Sequence, residues 1–506
     1  MPKIAKLPKD GVLIAVLSSV TLVFVWLANR QGVGWSYDSA DYVAVGSSLS
    51  HGMGLLDIIG KPSTVHPPGF SALIAVGMWL GFGSATTILC INAVSSAITV
   101  VCSFVLLRAA TLNPWTTLYG SIFVVVAPAL MWQYSMAYSE PLFVAIQMLM
   151  TVVVLRMKSL WKYSLLTLLA TALFYVRYVG PIFTAIILLV SLCLDLRIRG
   201  LLRALILNSV VVIVSSFLTW LWILRNQGID GSGLGFMQGG GGSYWKAFTM
   251  VPGTIGEWIS GSPPKIELLS WSAHPTLPKV ATVCLLVVVM PLLSLTVVDR
   301  LKTDQKFSES QFRTLVMTSS LVVGYVLFSV YRFVKVHRAS LDDRVMIPIF
   351  IPLVILLCIL VEQALVNRKI LRYVVASLAL SLLVLQAGVT VKQSWVYGRD
   401  GRHLTSSAVH NWPLHIFVRS LPGDGQFFSN EMQTLFANTD IWPIGNPWMG
   451  DETPLVSCGD RYVVWYNPSV VTDNKPDSLS KILYEDALGT VFYVGPCGSD
   501  IDLYWN

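Results

Sequence analysis

Runs of apolar residues, each near the length of helix that crosses a bilayer (about 20 residues), follow one another along most of this 506-residue chain. They lie at 11–29, 85–108, 115–133, 141–156, 163–180, 181–196, 204–224, 280–298, 314–331, 346–364 and 373–391. Read as helices, they predict a polytopic α-helical membrane protein of eleven spans. Helices suit that medium because each satisfies its own backbone hydrogen bonds. Composition agrees: charged residues make up 12% of the chain, against about 25% in a soluble domain. This excludes an ordinary cytosolic enzyme, and the 54% hydrophobic content excludes disorder. The net charge of +7 then reports topology and contact with anionic lipid, and implies no nucleic-acid partner.

Orientation follows from Lys and Arg in the short loops. Span 1 follows Lys3, Lys6 and Lys9 and lacks a small-residue cleavage site, so it reads as an uncleaved signal anchor with a cytoplasmic N-terminus. Alternate loops are then basic: Arg108; Arg156, Lys158 and Lys162; Arg197, Arg199 and Arg203; Arg300, Lys302, Lys306 and Arg313; Arg368, Lys369 and Arg372. A twelfth apolar run at 66–84 is broken by Pro67, Pro68 and several glycines, and counting it as a span would put these loops outside. It reads as a helix lying in, or dipping into, the outer interface.

The first 391 residues thus form the membrane domain, with outer loops at 30–84 and 225–279. Residues 392–506 have soluble composition, with β-like runs GQFFSN, RYVVWY and TVFYVG between helical stretches. They read as a small extracytoplasmic α/β domain. Cys458 and Cys497 could pair there, in a compartment that permits disulfides. The other cysteines lie in apolar runs, and no CxxC, Walker A, HExxH or strand-associated GxGxxG occurs.

The scarce charges that remain gather on the outer side. The first outer loop begins WSYDSADY, with Asp38 and Asp41 three apart on one helical face, Asp38 as a candidate N-cap and Asp41 in the first turn. A carboxylate near an apolar interface can take a proton from a hydroxyl. His66 precedes Pro67-Pro68, Glu140 precedes Pro141 at the mouth of span four, and Arg177 stands at the outer end of span five. The loop YRFVKVHRASLDDRVMIP places Arg332, Lys335, His337, Arg338 and Arg344 on the outer side, against the positive-inside trend. An anionic phosphate near the outer headgroups would account for that, since Arg binds phosphate through a fork of hydrogen bonds. Pairing with Asp342 and Asp343 is the structural alternative.

YDSADY, SHGMG, HPPGF, SEPLF, VRYVG and DDRVMIP, in this order over residues 1–391, resemble the GT-C superfamily of integral membrane glycosyltransferases. The likeness is to its protein O-mannosyltransferase-like branch (glycosyltransferase 39 type), which includes the lipid A aminoarabinose transferase and the lipopolysaccharide-core galacturonosyltransferases. The tail phrase FFSNEMQTLFANTD is also similar to a segment of bacterial relatives. The resemblance implies a GT-C fold and inverting transfer of a sugar from a polyprenyl-phosphate donor to a lipid, glycan or protein hydroxyl. It implies Asp38 as the base, first in an Asp-x-x-x-Tyr pattern ending at Tyr42, with Asp41 as rival or helper. Glu140 matches an acidic position. Arg177 and Arg344 match cations near the donor phosphate, with His66 and Arg338 beside them. Tyr42, Tyr178 and His337 would position donor or acceptor. Ser-Ala between the acids, in place of an adjacent Asp-Glu, speaks against a protein acceptor. No cofactor is required, although Asp38 and Asp41 could bind Mg²⁺ or Mn²⁺.

Two other functions compete: a flippase for a lipid-linked glycan, which would carry charges and broken helices at the midplane, and a non-enzymatic envelope assembly protein. The absence of an Asn-x-Ser/Thr sequon with a permitted middle residue favours a bacterial plasma membrane.

Overall fold

The computed structural model describes residues 7–111, 113–231, 243–260, 307–336, 341–365, 369–423, 425–443, 460–467 and 481–496. The first part is helical: α1 (Leu7–Ala28), α2 (Tyr37–Ser50), α3 (Gly69–Trp79), α4 (Ser84–Ala110), α5 (Pro114–Val125), α6 (Pro128–Tyr134), α7 (Glu140–Arg156), α8 (Trp161–Val176), α9 (Gly180–Arg199) and α10 (Leu201–Asp230). There follow α11 (Tyr244–Ser260), α12 (Glu309–Lys335), α13 (Asp343–Ala364) and α14 (Lys369–Asp400). Among the described residues six helices are long and apolar enough to cross a membrane, or seven if the bent α5–α6 pair is one span. The protein is a multi-pass membrane protein. The span expected at 280–298 lies outside the described residues.

Prolines explain where the helices depart from the expected spans. The stretch 115–133 is not one straight helix: Pro128 cannot donate to the preceding turn, and α6 leaves α5 at 43°. The pair expected to meet at 180/181 instead parts at Arg177–Val179, because Pro181 sits in the first turn of α9. This break frees Arg177 to point sideways from an extended backbone. Helix α14 has 32 residues, a rise of about 48 Å, longer than the hydrocarbon core and past the expected end at 391.

Helix α3 has 11 residues, a rise of about 16 Å, too short to cross. Its ends also sit at one level of the bundle. A Cβ on Gly69 would lie 2.6 Å from the carbonyl oxygen of Tyr175, near the end of α8, and one on Gly77 would collide with Thr87, near the start of α4. Glycine at both positions lets α3 lie flat against these helix ends.

At the opposite end of the bundle a buried network joins α8, α9 and α10. Lys162 donates to both Asp195 oxygens at 3.0 and 2.9 Å, and Tyr163 and Asn208 donate to the same carboxylate at 2.8 and 3.2 Å. Full satisfaction is what allows such a charge pair to be buried.

The tail contains α15 (Ser407–His410), α16 (Pro413–Arg419), β1 (Gln426–Ser429), α17 (Met432–Thr439), β2 (Asp460–Tyr466), β3 (Lys481–Glu485) and β4 (Gly489–Pro496). The sheet order is β1-β2-β4-β3. β1 runs parallel to β2, with Phe428 opposite Val463, and β2 and β3 both run antiparallel to β4. The three β-like runs of the sequence are β1, β2 and β4; β3, KILYE, is short and weakly patterned. Leu414, Val418 and Leu435 from α16 and α17 pack on Phe427, Tyr462 and Val464. Cys458 and Cys497 lie outside the described residues.

The tail is keyed to the membrane domain by Arg402, 6% exposed and without an ion-pair partner among the described residues. Its guanidinium lies 3.4 Å from the Trp132 ring centre and 4.0 Å from that of Tyr397, and donates to Ser135 Oγ at 2.5 Å. The π-faces replace a counter-ion. Arg402→Lys keeps the charge but loses the flat, forked group. We expect it to lower stability by about 2 kcal/mol, measured by thermal unfolding in detergent; an unchanged midpoint would show that the stack carries no stability.

Candidate functional site

Four helix ends converge on one cluster. Helix α2 opens with a capping box in which Ser36 and Ser39 each accept from the other's backbone N–H. Ser36, not Asp38, is therefore the N-cap. Asp38 falls in the first turn, where the helix dipole favours a carboxylate. Glu140 is the first residue of α7 and is 0% exposed. Arg177 occupies the α8–α9 break. In DDR, Asp342 caps α13 by accepting from Val345 N at 3.0 Å, which turns Arg344 toward the cluster.

The charges alternate as Asp38–Arg344–Glu140–Arg177. Arg344 Nη1 lies 2.5 Å from Asp38 Oδ2, and its Nε donates to Glu140 Oε1. Arg177 Nη1 lies 2.5 Å from the same Glu140 oxygen and donates to Ser139 Oγ at 3.2 Å. The Tyr42 hydroxyl is 3.2 Å from Ser139 Oγ and 3.5 Å from His66 Nδ1. The Arg344 guanidinium stacks over Tyr138 at 4.2 Å.

Burial pushes the Asp38 carboxyl up, but Arg344, His66 and Arg177 together hold it below the usual carboxylate range. Burial lowers His66, and the two arginines add to this against the pull of Asp38 and Glu140. Its Nε2 is buried without a hydrogen-bond partner among the described residues. Asp41 faces away from the arginines. Burial, then Asp38 and Asp57, raise it to about 7.

Of the residues expected at the site, the structure brings together Asp38, Glu140, Arg177, Arg344, Tyr42 and His66. Asp41 is adjacent but turned toward a separate small pocket with Ser63, His66 and Trp222. Tyr178 lies one step further out: its hydroxyl donates to Thr64 O at 2.8 Å and accepts from Trp222 Nε1 at 3.1 Å, which ties α10 to the His66 loop. His337 and Arg338 lie outside the described residues. Among the described residues no three His, Cys, Asp or Glu side chains form a metal-ligating group.

Sequence reading missed Ser139, which links Tyr42, Arg177 and Glu140. It also missed Arg225, whose guanidinium donates to Ser63 O at 2.9 Å and stacks over Trp222 at 4.7 Å. Arg225, like Arg332, breaks the positive-inside trend, the one signal that could have found it. Arg332 lies near Arg177 and Tyr325, and its Nε is buried with no hydrogen-bond partner among the described residues.

No protein-family model and no curated protein matches this sequence. Solved structures do. ArnT from Cupriavidus metallidurans in the apo state aligns with TM-score 0.61 at 12% identity, over 96% of this chain and 98% of that one. The same protein bound to undecaprenyl phosphate aligns with TM-score 0.60 at 13% identity, over 95% and 98%. Membrane helices and tail together, over nearly its whole length, this chain has the fold of ArnT.

Proposed function

We propose that this protein is a membrane glycosyltransferase of GT-C type. On this reading it moves a sugar from a polyprenyl-phosphate donor to a hydroxyl on a lipid or glycan, at the outer face of a bacterial plasma membrane, with inversion. The observation that carries the reading is the alternating chain Asp38–Arg344–Glu140–Arg177, set where four helix ends meet, in a fold shared with a protein solved with undecaprenyl phosphate. An apolar cavity of about 830 Å³ between α5, α11, α13 and α14 offers room for a hydrocarbon chain within the membrane domain.

The chemistry follows from the charges. The acceptor oxygen attacks the anomeric carbon as the bond from that carbon to the phosphate oxygen breaks. The leaving phosphate gains negative charge, which fixed guanidinium groups stabilise in a poorly hydrated site. Asp38 takes the acceptor proton. Before donor binding, Arg344 holds Asp38 and makes it a weak base. An arriving phosphate competes for that same fork. As Arg344 turns to the phosphate, Asp38 loses its nearest cation and its basicity rises, so the base becomes competent once the donor is in place.

The test is transfer of sugar from a polyprenyl-phosphate donor by the purified protein, with inversion at the anomeric carbon; no transfer to any hydroxyl acceptor would refute the reading. Because arginines supply the stabilising charge, turnover is expected to survive EDTA, and its loss, restored by Mg²⁺ or Mn²⁺, would place a metal on Asp38 and Asp41 instead.

A further inference from the structure

A row of polar side chains runs from the charge cluster to the flank of α2. Ser139 Oγ lies 3.4 Å from Glu140 Oε2 and 3.2 Å from the Tyr42 hydroxyl, which lies 3.5 Å from His66 Nδ1. The His66 ring also rests on that of Tyr42, with centres 4.6 Å apart. Each hydroxyl has one proton to give, so the carboxylate sets the direction of the row. Paired with two arginines, Glu140 is ionised and can only accept, and Ser139 donates to it. The Ser139 oxygen accepts from Arg177 Nη1 at 3.2 Å and from Tyr42. With its proton spent on Ser139, the Tyr42 hydroxyl can only accept from His66, which assigns the ring proton to Nδ1. Burial disfavours a second proton on the ring. Nε2 is then a bare acceptor, buried, with no donor among the described residues, and a buried acceptor calls for one.

His66 lines a small pocket between α2, α3 and α10, together with Asp41, Val45, Ser63, Ser71 and Trp222. Its volume is about 10 Å³, the space of one water. In so small a space every lining side chain meets the same molecule. The Trp222 N–H is already given to Tyr178, at 3.1 Å. Asp41, His66, Ser63 and Ser71 bring the polar neighbours to four, within the range for a buried water. On the glycosyltransferase reading above, we propose that the pocket is the site of one structural water that donates to His66 Nε2 and to the Asp41 carboxylate. His66 is thereby a positioning residue: held in one tautomer, it orients Tyr42 and Ser139 toward Glu140, the counter-ion of both arginines. Asp41 serves the row through the water, and His66 keeps no ring proton for the donor phosphate.

The experiment takes the full-length protein in proteoliposomes, isotope-labelled at the nitrogens of its histidine rings, and reads the tautomer of His66 by solid-state NMR. Alongside, kcat/KM is measured for sugar transfer from a polyprenyl-phosphate donor. His66→Asn identifies the His66 signals by their loss. Wild type is expected to show His66 neutral and protonated on Nδ1. Val45→Leu fills the pocket and excludes the water, so His66 should lose its single tautomer and kcat/KM should fall. Should that variant not fold, wild type and the two His66 variants decide. Asn offers a donor where Nδ1 stands, and Gln where Nε2 stands. His66→Asn is therefore expected to keep about fivefold more kcat/KM than His66→Gln, the worth of one hydrogen bond. A ring protonated on Nε2 in active wild type, a tautomer unchanged in Val45→Leu, or a His66→Gln at least as active as His66→Asn overturns this inference and leaves the reaction reading standing. A fixed Nδ1 tautomer that Val45→Leu disturbs, in a protein that transfers no sugar, supports the water site and overturns the reaction reading alone.

Discussion

Asp38→Asn is expected to lower kcat for sugar transfer by a factor of about 10²–10⁴, the usual contribution of a positioned base. The substitution is nearly isosteric and removes only the charge and the proton-accepting lone pair. Arg344 keeps its contact with Glu140, so the arginine stays in the cluster. The Asp38 side chain is 39% exposed, and an ion pair so open to solvent contributes within about 1 kcal/mol of stability. The fold therefore holds while kcat falls, and the KM for the donor drops, because the phosphate no longer competes with a carboxylate for Arg344. Asp41→Asn is expected to act less strongly, because Asp41 lies in the pocket with Ser63, His66 and Trp222 and pairs with neither arginine among the described residues. Undiminished turnover in Asp38→Asn would remove it as the base, and a larger loss in Asp41→Asn would transfer the role.

The second large effect is on stability. Glu140 is 0% exposed and is the shared counter-ion of two arginines, Arg177 at 2.5 Å and Arg344. Glu140→Gln keeps the shape but strands Arg177, leaves Arg344 with Asp38 alone, and empties a first-turn position that favours a negative charge. Removing one partner of a buried ion pair costs about 3–5 kcal/mol. Thermal unfolding in detergent should show a fall of that order, and the double variant Glu140→Gln with Arg177→Met should recover part of it, because one stranded cation goes with its partner. A single variant within about 0.5 kcal/mol of wild type, the scatter of an ordinary surface substitution, would mean that the arginines are hydrated and the cluster is not a dry site.

Much of the fold is legible from hydropathy, because a span must be apolar over a length the bilayer sets. Spans near 11–29, 85–108 and 204–224 are helices in the structure, and β1, β2 and β4 coincide with the β-like runs of the tail. Breaks were harder to see. Pro128 and Pro181 are visible in the sequence, yet only packing decides whether a proline bends a helix or starts a new one. Arg402 was unremarkable for the same reason: Tyr397 is close to it in sequence, but Trp132, which completes the stack, comes from α6, 270 residues away.

The site divides along similar lines. Asp38, Glu140, Arg177 and Arg344 were each noticeable, since an ionisable residue at a span's end needs a cause. Their order as alternating charges was not, because Asp38 and Arg344 stand 306 residues apart and nothing local couples them. Ser139 was invisible as a site residue, being an ordinary polar side chain until a neighbouring helix supplies the partner. Local chemistry, the cost of placing backbone and charge in lipid, dictated that this chain crosses the membrane repeatedly and gathers its spare charges at one end. The folded bundle alone decided which carboxylates meet an arginine and which does not, because pairing depends on distances across the bundle that no local pattern encodes.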